Sequence, residues 1–228
     1  MQFKIISIIQ KASFLFSYLF QNSFSENKFL KTIVLNDAIV VDVGSNIGSF
    51  IKLILKNNKK AQVYSIEPNI KLIEIQKNKF KNKKNIKFYN FAIDSEDGSR
   101  ILYLRNPSSH SSFFKTHQDE KFNKIIDKVK VKTNTLEKFI FDQKISGITL
   151  LKIDLEGHDY EVLLSTKQLI LNNKIAFIKI EANQEYFEKI MEFALESNLK
   201  FLGISKSFYF KNNFKFLDIY FKNNNSKP

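Results

Sequence analysis

Apolar positions along the chain fall into two alternating rhythms. Ile39, Val40, Val41 and Val43 form a β-branched run broken only by Asp42, the pattern of a buried parallel strand. Ile47, Phe50, Ile51 and Ile54 then recur at helical spacing, which predicts a helix over 46–55 stopped by Asn57 and Asn58. The same exchange repeats downstream. Strands are expected at 61–66, 86–91, 100–104, 129–132, 148–153 and 175–180, with helices at 68–79, 135–141, 160–171 and 184–197. Stretches 200–204 and 214–221 read as closing strands joined through 206–213, and the polar tail from 222 onward reads as disordered. Strands alternating with helices imply an α/β fold, a parallel sheet with helices on both faces.

The turn after the first strand carries the first chemical signal. Asp42, Gly44, Asn46 and Gly48 spell D-x-G-x-N-x-G between strand and helix. Gly44 can take a positive φ and lets a ligand approach the backbone, and Asn tolerates the left-handed region. Such a turn is expected to present free N–H groups at a helix N-terminus beside a strand's carboxyl end. It is neither the dinucleotide fingerprint G-x-G-x-x-G nor a P-loop, since no G-K-[ST] follows. It is similar to motif I of methyltransferases that use S-adenosylmethionine (SAM), with Asn46 at the usual middle glycine. Glu67 ends the second strand, about 20 residues past the turn, where a nucleoside fold places an acid to accept hydrogen bonds from ribose hydroxyls. Pro68 suits the first turn of the next helix, and Glu67 could alternatively serve only to favour that helix's N-terminus.

Composition narrows the picture in three respects. The 228 residues suit one domain with a sizeable core, here 27–222, preceded by an apolar accessory helix at 1–26 and followed by the 223–228 tail. Cysteine is absent, which excludes a disulfide framework, a thiolate nucleophile and Cys-based zinc sites, and fits a reducing, cytoplasmic setting. The net charge of +13 comes with abundant Lys, Asn, Ile and Phe, a composition that AT-rich coding also produces. It reads either as a solvated Lys-rich surface or as attraction to anionic partners. The charge-free run 12–25 is too short to cross a bilayer as a helix, so the N-terminal stretch is expected to pack on the domain or lie on a membrane surface.

A second cluster follows the 148–153 strand. Asp154, Glu156 and His158 alternate, and an extended stretch would point all three the same way, onto the open edge of the sheet near the glycine turn. A carboxylate or imidazole there could take a proton from a substrate hydroxyl. Asp154 and Glu156 could instead hold a divalent cation through oxygen ligands, or simply cap the following helix. Residues 105–128, with Ser108, Ser109, His110, Ser111 and Ser112, form the least regular region and read as a flap; His110 and Ser112 are weaker candidates for catalysis.

These pieces together resemble the FkbM family of SAM-dependent methyltransferases. The matching segments are Val41–Gly48, Ile66–Asn69, Asn90–Ile93, Thr133–Leu136, Leu151–His158 and Ile180–Glu181, in family order across roughly 31–183. One departure is Glu137, which stands where the family usually has Asp after Thr-Leu. The resemblance implies a Rossmann-like fold, a mostly parallel sheet of about seven strands with an antiparallel closing strand. It also implies O-methylation of a hydroxyl, often on a sugar, glycan or natural product. Asp42, Gly44, Ser45, Asn46 and Gly48 would border the methionine part of SAM, Glu67 with Pro68 would hold the ribose, and Ile93 and Asp94 would sit near the adenine. Asp154, Glu156 or His158 would be the base, with Asp154 and Glu156 preferred. Rival readings are a nucleic-acid methyltransferase, favoured by the charge, and a non-catalytic glycan- or membrane-associated domain. An Asn-Pro-Pro-aromatic motif and a Cys nucleophile, the usual marks of base methylation, are both absent. An NAD-linked oxidoreductase is disfavoured by the glycine spacing.

Overall fold

A computed structural model describes residues 25–33, 37–106, 111–114, 124–183, 185–210 and 213–226. The apolar 1–24 stretch and His110 lie outside the described residues. The first half runs α1 (Glu26–Ile33), β1 (Ile39–Val43), α2 (Ser49–Asn57), β2 (Gln62–Ile66), α3 (Ile70–Lys79) and β3 (Ile86–Tyr89). It continues with β4 (Ala92–Ile93), β5 (Gly98–Asn106), β6 (Lys124–Asn134) and α4 (Leu136–Asp142). The second half runs β7 (Ile148–Ile153), α5 (Asp159–Ser165), α6 (Lys167–Leu171), β8 (Ile175–Asn183), α7 (Phe187–Glu196), β9 (Leu199–Phe210) and β10 (Asn213–Asn223).

Seven strands form the main sheet in the order β3-β2-β1-β7-β8-β10-β9. β1, β2, β3, β7 and β8 are parallel; β10 enters antiparallel between β8 and β9. The jump from β1 to β7 reverses the winding direction, and α/β sheets bind ligands at such a switch point. On one face Val40, Val63 and Leu150 pack with Leu30 of α1 and Phe50, Ile51 and Ile54 of α2. On the other, Val41, Val43, Leu151, Ile153 and Ile178 pack with Leu136 and Phe139 of α4, Val162 of α5 and Ile190 of α7.

The register explains why the strand ends are polar on one face only. Val43, Ile66, Ile153, Ile180 and Ile219 are neighbours across five strands and all are buried in the core. The row before them, Ser65, Asp42, Lys152, Lys179 and Tyr220, therefore points to the α1–α2 face. One alternation further, Glu67, Gly44, Asp154 and Glu181 follow their strands' polar residues on that same side, with Asp218 paired to Glu181. Each strand thus ends apolar towards α4–α7 and polar towards the crevice.

Several elements differ from the sequence expectation. The strands at 100–104 and 129–132 do not join the main sheet; lengthened to β5 and β6, they pair with β4 as a separate three-stranded sheet. The 160–171 helix breaks at Thr166, whose Oγ1 donates to Leu163 O at 2.7 Å, while Ser165 Oγ donates to Val162 O at 2.7 Å. Hydroxyls that bond back to the preceding turn compete with helix continuation. The tail expected to be disordered from 222 is tied down at its start. Asn223 is buried and donates from Nδ2 to Ile170 O (2.7 Å) and Ile175 O (3.1 Å), joining β10 to the α6–β8 connection. Among the described residues no helix is long and apolar enough to cross a membrane.

Candidate active site

The glycine turn is spoken for by its own neighbours. Gly44 has φ +73°, and a Cβ there would collide with the Asp154 carbonyl, so glycine is required for β7 to close against β1, and it also borders the crevice. Gly48 has φ +76° and a Cβ on it would stand 2.7 Å from the Phe80 ring; Asn46 takes φ +48°. The Gly44 and Ser45 amides donate to Ile66 O at 3.0 and 3.2 Å, Asn46 N to Glu67 Oε2 at 2.9 Å, and Gly48 N to Ser45 O at 2.8 Å. These four groups are therefore not the free N–H donors the sequence suggested. The end of β2 lies within reach and takes three of them.

Ser45 also turns inward. Its Oγ accepts from Ser65 Oγ (2.7 Å) and Gln76 Nε2 (2.9 Å) in a buried cluster that fastens α3 beneath the turn. Asp42 is fully buried below Gly44 and does not line the crevice. Its Oδ1 lies 3.1 Å from Lys152 Nζ, which also lies 3.1 Å from Asp154 Oδ2 and donates to Gly44 O at 3.1 Å. Burial pushes the Asp42 carboxyl up, with Lys152 opposing it; burial would lower Lys152, but Asp154 and Asp42 hold it protonated and raise it. One lysine thus clamps both strand ends.

Glu67 sits at the crevice with Asn46 and Pro68. Its two oxygens each accept one backbone N–H, from Asn46 and from Asn69 at 2.9 Å. Burial pushes its carboxyl up to about 7 against those hydrogen bonds. Asn69 caps α3, accepting from Lys71 N at 3.1 Å.

The D-L-E-G-H-D segment is not extended, so its three candidates do not point the same way. Glu156 has φ +52° and Gly157 φ +104°, and the chain doubles back. Asp159 fixes that turn, its carboxylate accepting from Leu155 N (2.8 Å) and Gly157 N (3.0 Å). Burial and the Asp154 charge push Asp159 up to about 8, against those two bonds. The turn carries His158 away from Asp154 and Glu156: its ring is buried, with Nε2 2.9 Å from Asp94 Oδ1 and Phe113 packed edge-on at 5.4 Å. His158 thus pairs with Asp94 and does not border the crevice. Asp94 is likewise occupied, by His158, Ser95 N and Arg100; burial raises it, but those bonds bring it below its ordinary value. Ile93 is wholly buried in the core. Ala92 supplies the crevice wall; alternation along β4 turns Ile93 to the opposite side, and Asp94 is drawn away by His158 and Arg100.

What the fold does bring together is Asp154, Glu156 and Glu181, each with a carboxylate oxygen within 4.8 Å of the others. Glu181 lies near the carboxyl end of β8, and the sequence offers it only within the Ile180–Glu181 segment. Burial, then the charges of Asp154, Asp159 and Glu156, push it well above its ordinary value, and its Oε2 is buried with no hydrogen-bond partner. The three acids border a crevice of about 170 Å³ that Leu72, Ala92, Leu102, Phe113 and Glu67 also line. Gly44, Asn46 and Asp154 also border a neighbouring hollow of about 580 Å³ that reaches Phe50, Lys152 and Lys179. The 111–114 part of the expected flap is bolted to β5. Arg105, buried, donates from Nη1 to Ser112 Oγ (3.2 Å) and from Nη2 to Phe114 O (2.7 Å), so Ser112 serves that clasp. Glu137 lies exposed in the first turn of α4 and does not border the crevice.

This sheet order, with acids converging on the strand ends beside a glycine turn, defines a Rossmann-like methyltransferase. Solved structures share the fold at low identity. An rRNA methylase from Streptococcus thermophilus is 11% identical with a TM-score of 0.50, over 86% of this chain and 93% of that one. A candidate methyltransferase from Streptococcus mutans, in complex with SAH, is 12% identical with a TM-score of 0.52, over 86% and 94%. A candidate rRNA methylase from Clostridium thermocellum is 10% identical with a TM-score of 0.52, over 88% and 94%. No curated protein sequence matches the chain. The methyltransferase FkbM domain matches residues 42–223, and the chain belongs to that family.

Proposed function

We propose that the protein transfers a methyl group from SAM to a hydroxyl of a sugar, glycan or related small molecule. The observation that carries this reading is the group Asp154, Glu156 and Glu181 beside a crevice suited to a nucleoside. Leu72, Ala92 and Leu102 offer apolar walls to a flat ring, and Glu67 keeps acceptor capacity for ribose hydroxyls. Carboxylates at the other end suit a cationic sulfonium centre. SAM supplies an electrophilic methyl whose bonding electrons stay on sulfur as it leaves. The chain's part is to hold the acceptor oxygen in line and to take its proton onto a carboxylate of the group.

The same acids disfavour a nucleic-acid acceptor, since three carboxylates at the mouth repel phosphates. A screen of SAM-dependent transfer to glycans, lipid-linked sugars and RNA, read by mass shift, tests the reading. Methylation of a sugar hydroxyl that Asp154→Asn abolishes while SAM binding persists supports it. Transfer to RNA bases alone would refute it.

A further inference from the structure

We propose that Asp154, Glu156 and Glu181 hold a divalent cation, Mg²⁺ or Mn²⁺, which meets the oxygens of the acceptor. This inference rests on the transfer reading above and deepens it. The three side chains come from different places: the residue after β7, the doubled-back turn and the last part of β8. Each brings one carboxylate oxygen to within 4.8 Å of the other two, a spacing a single hard cation can bridge. Acids of like charge gather on many surfaces, so proximity alone decides nothing. The deciding feature is Glu181, whose Oε2 lies beneath the surface with no hydrogen-bond partner while the residue borders the crevice. An oxygen withdrawn from water and bonded to nothing is costly to bury, and a cation in the group would satisfy it.

The surroundings select the kind of ion. Lys152 neutralises Asp154 through Oδ2 from the Asp42 side, and Lys179 is engaged by Glu26 and Asp218 at 3.0 and 2.9 Å. Neither ammonium forms an ion pair with Glu181. The one imidazole in the segment, His158, is turned away onto Asp94, and the chain has no cysteine. An all-oxygen donor set favours Mg²⁺ or Mn²⁺ over zinc or copper. Three protein ligands leave positions open for water and for one or two acceptor hydroxyls, whose protons a bound cation makes easier to remove.

Electron paramagnetic resonance with Mn²⁺ titrated into the full-length protein reads binding without any turnover. One saturable Mn²⁺ per chain is expected, displaced by Mg²⁺ and weakened at least about tenfold in Glu181→Gln and in Asp154→Asn, both checked for folding by circular dichroism and for SAM affinity. No saturable Mn²⁺ binding, or binding untouched by Glu181→Gln, would overturn the proposal. A parallel transfer assay with and without chelator separates the two claims. Full-rate hydroxyl methylation with chelator present refutes the cation and leaves the transfer reading intact. Site-specific Mn²⁺ binding without any hydroxyl transfer supports the cation and refutes the transfer reading.

Discussion

Replacing Lys152 with Met would leave Asp42 enclosed without its cation. At 3.1 Å and an effective dielectric near 20, the Asp42–Lys152 attraction is about 5 kcal/mol before desolvation. Much of that is offset by taking the lysine out of water, but the variant still buries the acid. Removing one partner of such a pair costs about 3–5 kcal/mol. Asp154 contributes less, because its side chain is 32% exposed and water can take the place of the ammonium. The expected loss in urea unfolding at pH 7 is therefore about 3–5 kcal/mol, a large share of a typical domain's stability. Its pH dependence follows from the direction of the shift. Burial raises Asp42 in the fold, and without Lys152 it rises further. A carboxyl raised on folding destabilises the folded state as pH climbs above its unfolded value near 4, so the variant's deficit should shrink on acidification towards that value. Pairing the change with Asp42→Asn should restore about 2 kcal/mol or more in a double-mutant cycle. A loss under about 1 kcal/mol that stays flat with pH would refute the clamp.

Three further outcomes follow from the same geometry. Glu67, pushed up to about 7 from 4.5, makes stability fall as pH rises between those values, by about 3 kcal/mol, and Glu67→Gln should remove that slope from urea melts; an unchanged slope would show that another group carries it. His158→Ala should cost about 1–3 kcal/mol through the lost buried bond to Asp94, while the pH profile of kcat keeps its shape, and loss of its acidic limb would support His158 as a base. Asn223→Ala should cost about 2 kcal/mol by stripping the Ile170 and Ile175 carbonyls of their shared donor, and a change below about 0.5 kcal/mol would contradict that role.

The main sheet was legible because its strands are short apolar runs with a glycine turn and terminal acids at regular positions. The site was legible in part. Asp154 and Glu156 could be read from one dense segment, and Glu67 from its spacing to the turn. Glu181 is close to them only because β8 pairs with β7 in parallel register, a relation between segments some 25 residues apart. A signal was nonetheless present: S-I-E, K-I-D and K-I-E each set polar residues two apart around a buried aliphatic near a strand's carboxyl end. His158 misled because period-two reasoning holds only for an extended chain, and a left-handed Glu156 followed by glycine breaks it. The second sheet was missed because pairing partners cannot be told from alternation in single strands.

The first residues of helix α1 are tied to β8 and β10. Glu26 Oε1 accepts from Lys179 Nζ at 3.0 Å and from the Tyr220 hydroxyl at 2.5 Å, and Phe29 rests edge-on against Phe177 and Tyr220. A recombinant version trimmed to begin after this helix would strip Lys179 of one of its two counter-charges within two residues of Glu181. Shortening the front end to ease production would thus disturb the very spot where methylation is to be measured.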